Sequence, residues 1–253
     1  MIRVERLIKT FGEHAAVNDI SFELERGETF ALLGPNGSGK TTTLKCLAGL
    51  IKPSSGKILI DGFEVWKNPQ QARSRMSYLP QRVSFPDNLT AREVLEFYRR
   101  LRKLPPRRVD ETLSGARFDF NGFADKAVGK FSGGMIQRLG LAVACLPEAP
   151  VLLLDEPTVS LDLEGAIRFR EFLLSLKREG KTIVFTSHTL ADVERLADRV
   201  AILVDGRLVA LESVESLKRA GAEIASFVTQ DKSLEDIYLH YINGQNAVCK
   251  NSK

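Results

Sequence analysis

The chain has 253 residues, 43 % of them apolar, which is enough for one large α/β domain or a core carrying a subdomain. Its formal net charge of +4 is mild and no segment has the character of a nucleic-acid-binding arm; the densest basic run, Arg99-Arg100-Leu101-Arg102-Lys103 followed by Arg107-Arg108, reads as a solvated helix face. Cys46, Cys145 and Cys249 stand far apart with no C-x-x-C pair, which excludes a disulfide framework or a cysteine zinc site and places Cys46 and Cys145 as buried thiols in a reducing cytoplasm. Met1-Ile2-Arg3-Val4-Glu5 lacks signal-peptide character, and no apolar run approaches the roughly 20 residues of a membrane helix, so the expectation is a soluble chain whose membrane role requires a partner.

Ile2, Val4 and Leu7, then Ile20, Phe22 and Leu24, alternate with polar neighbours and predict antiparallel strands. Thr29-Phe30-Ala31-Leu32-Leu33 predicts a buried strand. It runs into Gly34-Pro35-Asn36-Gly37-Ser38-Gly39-Lys40-Thr41, which fits the phosphate-loop pattern G-x-x-x-x-G-K-[ST] and precedes a predicted helix at Thr42–Ala48. Glycines let successive backbone N–H groups turn inward onto phosphate oxygens, and the helix N-terminus adds partial positive charge. Lys40 is expected at the β- and γ-phosphates and the Thr41 hydroxyl on Mg²⁺. Gly34, Pro35, Asn36, Gly37, Ser38, Gly39 and Thr42 are expected around the phosphates. The chain therefore reads as a nucleoside triphosphate binder.

A turn at Lys52–Gly56 leads to a strand at Lys57–Gly62, and a short strand, Ser77-Tyr78-Leu79, stops at Pro80-Gln81. From about Pro86 to Cys145 the patterns turn helical. Thr90-Ala91-Arg92-Glu93 is a capping box, Val94, Leu95, Phe97, Tyr98 and Leu101 follow at helical spacing, and Pro105-Pro106 is expected to end that helix. Phe131-Ser132-Gly133-Gly134-Met135 opens a further helix through Cys145 and forms a second anion-binding helix end. One phosphate loop needs only one such end, so the second is expected to serve another molecule's nucleotide. Val151–Leu154 predicts a buried parallel strand closed by Asp155-Glu156; after such a strand in phosphate-loop ATPases the Asp holds Mg²⁺, and a Glu beside it can polarise the attacking water. A helix at Ile167–Lys177, a strand at Thr182–Phe185, a helix at Leu190–Ala197, a strand at Val200–Val204 and an Asp205-Gly206 hairpin into Arg207–Ala210 complete the pattern. Beyond Gly221 only a short helix near Leu234–Tyr241 is predicted.

The expected fold class is α/β: a P-loop NTPase core with a mixed sheet, an N-terminal antiparallel β portion and an inserted α-helical subdomain. The first part of the core spans 1–85, the helical subdomain 86–145, the second part of the core 146–220, and an extension 221–253.

Taken in order, these motifs resemble those of the ATP-binding cassette (ABC) ATPases over about residues 1–220. The resemblance implies ATP and Mg²⁺ as cofactors. It implies that Gln81 contacts Mg²⁺ or the attacking water, that Asp155 holds Mg²⁺, and that Glu156 is the general base. It further implies that His188 is the switch histidine at the γ-phosphate, that Ser132, Gly133 and Gly134 contact a partner copy's nucleotide, and that Asp162 crosses the dimer interface. Phe11 matches the aromatic position that stacks on adenine; a core phenylalanine is the alternative. Two positions depart from the family's pattern: Met135 stands where Gln is usual and cannot hydrogen-bond in its way, and Ser160 stands where Gly is usual, which strains a backbone requiring positive φ.

The family's architecture implies two copies placed head to tail and a separate membrane-spanning permease. A groove beside Gln81 would receive the permease, with Val83, Phe85, Pro86, Leu89 and Tyr98 as lining candidates; packing within the helical subdomain is their alternative. Leu79–Arg102 resembles the ATPase of the copper-processing exporter used in nitrous-oxide reductase maturation. No nucleic-acid partner is expected, because soluble ABC proteins acting on ribosomes or DNA generally carry two cassettes or a long coiled-coil insertion. A P-loop nucleotide kinase is the remaining alternative, and it gives no account of Ser132–Gly134 or His188.

Overall fold

A computed structural model of the chain describes residues 1–219, apart from residues 116, 117, 119, 121, 159, 160 and 162. Ser160, Asp162, Cys249 and the expected helix near 234–241 therefore lie outside the described residues. Among those described, the strands form two sheets. The first, in the order β2(His14–Leu24), β1(Ile2–Phe11), β4(Ser55–Ile60), β5(Phe63–Glu64), is antiparallel. The alternation seen in the sequence sets its register at the start, where Ile2 faces Leu24 and Val4 faces Phe22; the register shifts beyond Val4 so that Leu7 faces Ile20, and all six of these side chains are buried.

The second sheet runs β10(Arg207–Ser213), β9(Arg199–Val204), β3(Thr29–Leu33), β8(Thr182–Ser187), β7(Val151–Leu154), β6(Met76–Leu79). It is parallel except for β10, which returns antiparallel to β9. The return uses Asp205 and Gly206, both at positive φ (47 and 74), as a two-residue hairpin demands. Successive side chains of a strand point to opposite faces, and here both faces are buried. Phe30, Leu32, Val151, Leu153, Val184, Ala201 and Leu203 join the antiparallel sheet and helix α1(Lys40–Leu47) in one core. Ala31, Leu33, Leu152, Leu154, Ile183, Phe185, Val200 and Ile202 join a second core. Its other walls are helices α3(Ala91–Leu101), α4(Arg107–Ser114), α5(Gly133–Cys145), α6(Leu163–Arg178) and α7(Leu190–Leu196). A short helix, α2(Pro69–Ser74), lies before β6.

Two expectations need correction. Helix α3 does not run to the prolines. It stops at Leu101 because Lys103 takes a left-handed φ of 53 and the Leu104 N–H turns back to the Arg99 carbonyl at 2.9 Å, a Schellman closure; Pro106 instead caps α4. Cys46 is fully buried in α1, where burial pushes its thiol up to about 11, but Cys145, at the last turn of α5, is only half-buried.

At the other end of α3 the capping box forms as expected. The Thr90 hydroxyl accepts from the Glu93 N–H at 3.2 Å, and the Glu93 carboxylate accepts from the Thr90 N–H at 2.8 Å. A bridge between Thr90 and Ala127 and the Val128 N–H on the Leu89 carbonyl (2.8 Å) tie this end to the loop leading into α5. Thr90→Ala is expected to cost about 1 kcal/mol in chemical denaturation, the usual worth of such a cap.

Candidate functional site

The residue after β3, Gly34, has no room for a side chain: a Cβ there would lie 2.2 Å from the Leu203 carbonyl oxygen. Gly37 (φ 83) and Gly39 (φ 95) adopt left-handed backbone, and a Cβ on Gly39 would meet the Ala16 carbonyl oxygen at 2.3 Å. The loop is thus wrapped tightly enough to hand straight into α1. No side chain caps that helix and no acidic residue sits in its first turn, so its N-terminal donors remain for an anion. The Ser38 hydroxyl is buried without a partner, a further polar atom awaiting a ligand.

Lys40 is 4 % exposed, and its ammonium donates to the Gly34 and Pro35 carbonyls at 2.8 and 2.9 Å. Desolvation lowers its pKa, while Glu156 and Asp155 act in the opposite direction. The two acids follow β7 directly. Asp155, 1 % exposed, accepts on Oδ1 from the hydroxyls of Thr41 (2.9 Å) and Thr186 (2.8 Å), and on Oδ2 from Tyr78 (3.3 Å). Glu156 has a left-handed φ of 42, and its N–H donates to the Thr186 hydroxyl at 2.7 Å. Its Oε2 accepts from the Gln81 amide at 2.8 Å and lies 3.6 Å from His188 Nδ1. Thr41 and Asp155 together offer a hydroxyl and a carboxylate, hard oxygen donors of the kind Mg²⁺ takes alongside phosphate and water.

Of these groups Lys40, Thr41, Gln81 and Glu156 border a cleft of about 500 Å³, whose other lining residues are Phe11, His14, Ala16, Asn36, Gly37, Ser38, Gly39 and Thr42. Phe11 is 49 % exposed and belongs to neither core; the Lys9 ammonium lies 4.7 Å from its ring centroid. The core alternative for Phe11 therefore does not hold. Gln81, expected at Mg²⁺ or the attacking water, is bonded to Glu156 here.

Ser132, Gly133 and Gly134 are not brought to this cleft. Ser132 caps α5, its hydroxyl accepting from the Met135 N–H at 3.3 Å, and Ser132 and Gly134 border a separate cavity between α5 and α6 with Met135 and Leu161. A Cβ on Gly133 or Gly134 would meet nothing within 4 Å. Of the expected groove residues, Val83, Phe85, Leu89 and Tyr98 are half-buried against the helical core, with Phe85 edge-on to Tyr98 at 6.3 Å, while Pro86 is exposed. The exposed apolar area of this region lies on Phe97 (58 %) and Leu101 (64 %) of α3 instead.

Sequence reasoning passed over Tyr78, Thr186 and His14. A hydroxyl on the otherwise apolar run Ile183-Val184-Phe185 was the available signal for Thr186, and the cross-strand pairing of His14 with Phe11 was the one for His14.

The family model for the ABC transporter matches residues 17–159. Among relatives, the ABC transporter ATP-binding protein NatA of Bacillus subtilis is 38 % identical over 205 residues, 80 % of this chain and 83 % of its own. The linearmycin resistance ATP-binding protein LnrL of Bacillus subtilis is 34 % identical, over 83 % of this chain and 68 % of its own. The Nod factor export ATP-binding protein I of Burkholderia lata is 40 % identical, over 80 % and 67 %. The solved ATP-binding subunit of an ABC transporter superposes with a TM-score of 0.82 at 29 % identity, covering 95 % of this chain and 99 % of that one. The ATP-binding cassette MJ0796, solved as a dimer in a post-hydrolysis state bound to ADP and Pi, superposes with a TM-score of 0.76 at 25 % identity, covering 85 % and 99 %. With its phosphate loop and acid pair set in that fold, and with the family model spanning more than half its length, the chain belongs to the ABC transporter family as an ATP-binding cassette.

Proposed function

We propose that the chain is the ATP-hydrolysing motor of an exporter, driving a separate membrane-spanning permease through ATP-dependent, head-to-tail pairing of two copies. The observation that carries this reading is the separation of two anion-facing helix ends. The cleft at Lys40 is open, and the Ser132–Gly134 end, with free space beyond both glycines, lies elsewhere on the chain. Two-fold pairing brings each end against the other copy's cleft and completes two sites at once. The dimeric form of the MJ0796 cassette supports that arrangement.

Within each site the residues divide the work. Lys40 leaves the Gly34 and Pro35 carbonyls for the phosphates. Thr41 and Asp155 would hold Mg²⁺, and Phe11 offers its exposed ring to the adenine. ATP with Mg²⁺ supplies a γ-phosphoryl group ready for in-line transfer. Glu156 orients the attacking water and takes its proton, with Gln81 fixing one carboxylate oxygen. His188, 49 % exposed at its side chain, is free to reach the γ-phosphate. Ser132 and Gly134 of the second copy close over the same phosphate. Its loss removes charge from the interface and lets the copies part.

Export is favoured by the names of two relatives, one concerned with resistance and one with export. The relatives named above make no reference to copper, and no substrate is assigned. No helix among the described residues is long and apolar enough to cross a membrane. Phe97 and Leu101, exposed beside Tyr98, offer the permease an apolar foothold.

Glu156→Gln should lower hydrolysis by about 10²- to 10⁴-fold, the range of a general base, while retaining nucleotide affinity and accumulating an ATP-dependent dimer. Hydrolysis at the normal rate contradicts the assignment. Lys40→Ala should lose nucleotide binding in a titration with a fluorescent ATP analogue. Gly134→Asp, whose side chain enters free space in the single copy, should keep nucleotide affinity within about twofold yet abolish the dimer in sedimentation, because its charge meets the partner's γ-phosphate. Tagged Glu156→Gln chain, recovered with ATP from detergent-solubilised host membranes, should bring a multi-span membrane protein with it. Recovery of ribosomes or DNA instead would favour the soluble reading.

A further inference from the structure

We propose that Thr186 is a positioning residue whose single hydroxyl holds the Asp155 carboxylate and the backbone N–H of Glu156. The proposal rests on the hydrolytic reading above and deepens it. Thr186 lies on β8 at 0 % exposure. Its Oγ1 is 2.8 Å from Asp155 Oδ1 and 2.7 Å from the Glu156 backbone nitrogen. Chemistry fixes the direction of both bonds: an amide N–H only donates and a carboxylate only accepts, so the hydroxyl accepts from Glu156 and donates to Asp155. No other side chain among the described residues shows hydrogen bonds to both acidic positions.

A buried hydroxyl on an apolar strand costs stability unless it is paired, and valine has the same shape without that cost. The two bonds are what the hydroxyl gains here. They act on the two features of the site that most need restraint. The first is the rotation of the Asp155 carboxylate. Thr41 shares Oδ1 with Thr186, at 2.9 and 2.8 Å, so that with Thr41 committed to Mg²⁺ Thr186 would still hold that oxygen, with Tyr78 on the other at 3.3 Å. The second is the left-handed backbone of Glu156, at φ 42, which residues with a Cβ disfavour. His188 stands two residues further along the same segment, so the switch histidine and both acids share one anchor.

The test compares wild type with Thr186→Val, which keeps shape and loses the hydroxyl, and Thr186→Ser, which keeps the hydroxyl. Binding of a fluorescent ATP analogue (mant-ATP) is measured in EDTA and across a Mg²⁺ titration. Steady-state hydrolysis is split into kcat and KM, and thermal melting reports folding. Thr186→Val should need about tenfold more Mg²⁺ for tight binding and lose about tenfold or more in kcat, as removal of a hydrogen bond to a charged group implies. Its affinity in EDTA and its KM should stay within about twofold, and Thr186→Ser should recover to within about threefold. An unchanged Mg²⁺ dependence in folded Thr186→Val overturns the proposal. So does a Thr186→Ser variant as impaired as Thr186→Val, since volume would then be the cause. Should Thr186→Val fail to fold, Thr186→Ala takes its place, and equality of Ala and Ser overturns the proposal. A wild-type chain without hydrolysis, or Glu156→Gln at full rate, fails the hydrolytic reading instead, and the Mg²⁺ dependence of binding still decides on Thr186.

Discussion

Burial of both faces of the parallel sheet dictates where this chain can carry chemistry. The antiparallel sheet and α1 cover one side and the helices the other, so an unpaired polar group within the sheet would be costly. The strand ends remain, and the register brings them level: Leu79 pairs with Leu154, Leu154 with Phe185, and Leu33 with Ser187. The phosphate loop therefore leaves β3 beside the acids that leave β7, with Gln81 beyond β6 and His188 beyond β8. Even the β9 hairpin takes part, its Gly206 N–H donating to the Ser38 carbonyl at 3.2 Å and backing the loop from outside. Open α/β sheets place ligands at the carboxyl ends of their strands for this reason.

Charge is balanced in that row before any nucleotide arrives. Two carbonyls accept from the buried Lys40 ammonium and two carboxylates lie near, which counters only part of the desolvation that lowers its pKa. Asp155 is satisfied by three hydroxyls. In the proposed mechanism phosphates and Mg²⁺ would meet a site whose groups exchange existing bonds for new ones, and little would have to be built around them. The remaining piece, the Ser132–Gly134 helix end, is held away from the row by the helices between β6 and β7. That separation makes a second copy a geometric requirement of the proposed mechanism.

The parts of this picture legible in the sequence are those governed by local periodicity or by a contiguous motif. Alternation of Ile2 and Val4, and of Ile20, Phe22 and Leu24, set a strand register, Thr90 and Glu93 set a helix start, and Gly34–Thr41 set a loop, because in each case the deciding forces act within a few residues. What escaped depends on side chains distant in sequence. Thr186 and Asp155 meet only because β7 and β8 pair in parallel, and no local pattern announces a bond across 31 positions. The end of α3 escaped for a different reason: a left-handed Lys103 closed it where the prolines at 105 and 106 offered a more visible stop. Of the groove candidates, Val83, Phe85, Leu89 and Tyr98 follow the alternative reading and pack half-buried against the helices, a choice that depends on how the helices meet, while Phe97 and Leu101 face out.

The central claim is that each nucleotide site draws its phosphate loop from one copy and its Ser132–Gly134 end from another. Mixing two inactive variants tests it directly. Lys40→Ala chains lack a working loop and Gly134→Asp chains lack a working helix end, but a mixed pair contains one site built from two intact halves. The account predicts that ATP hydrolysis appears on mixing, at a level neither variant reaches alone. A mixture no more active than the sum of its parts would contradict it.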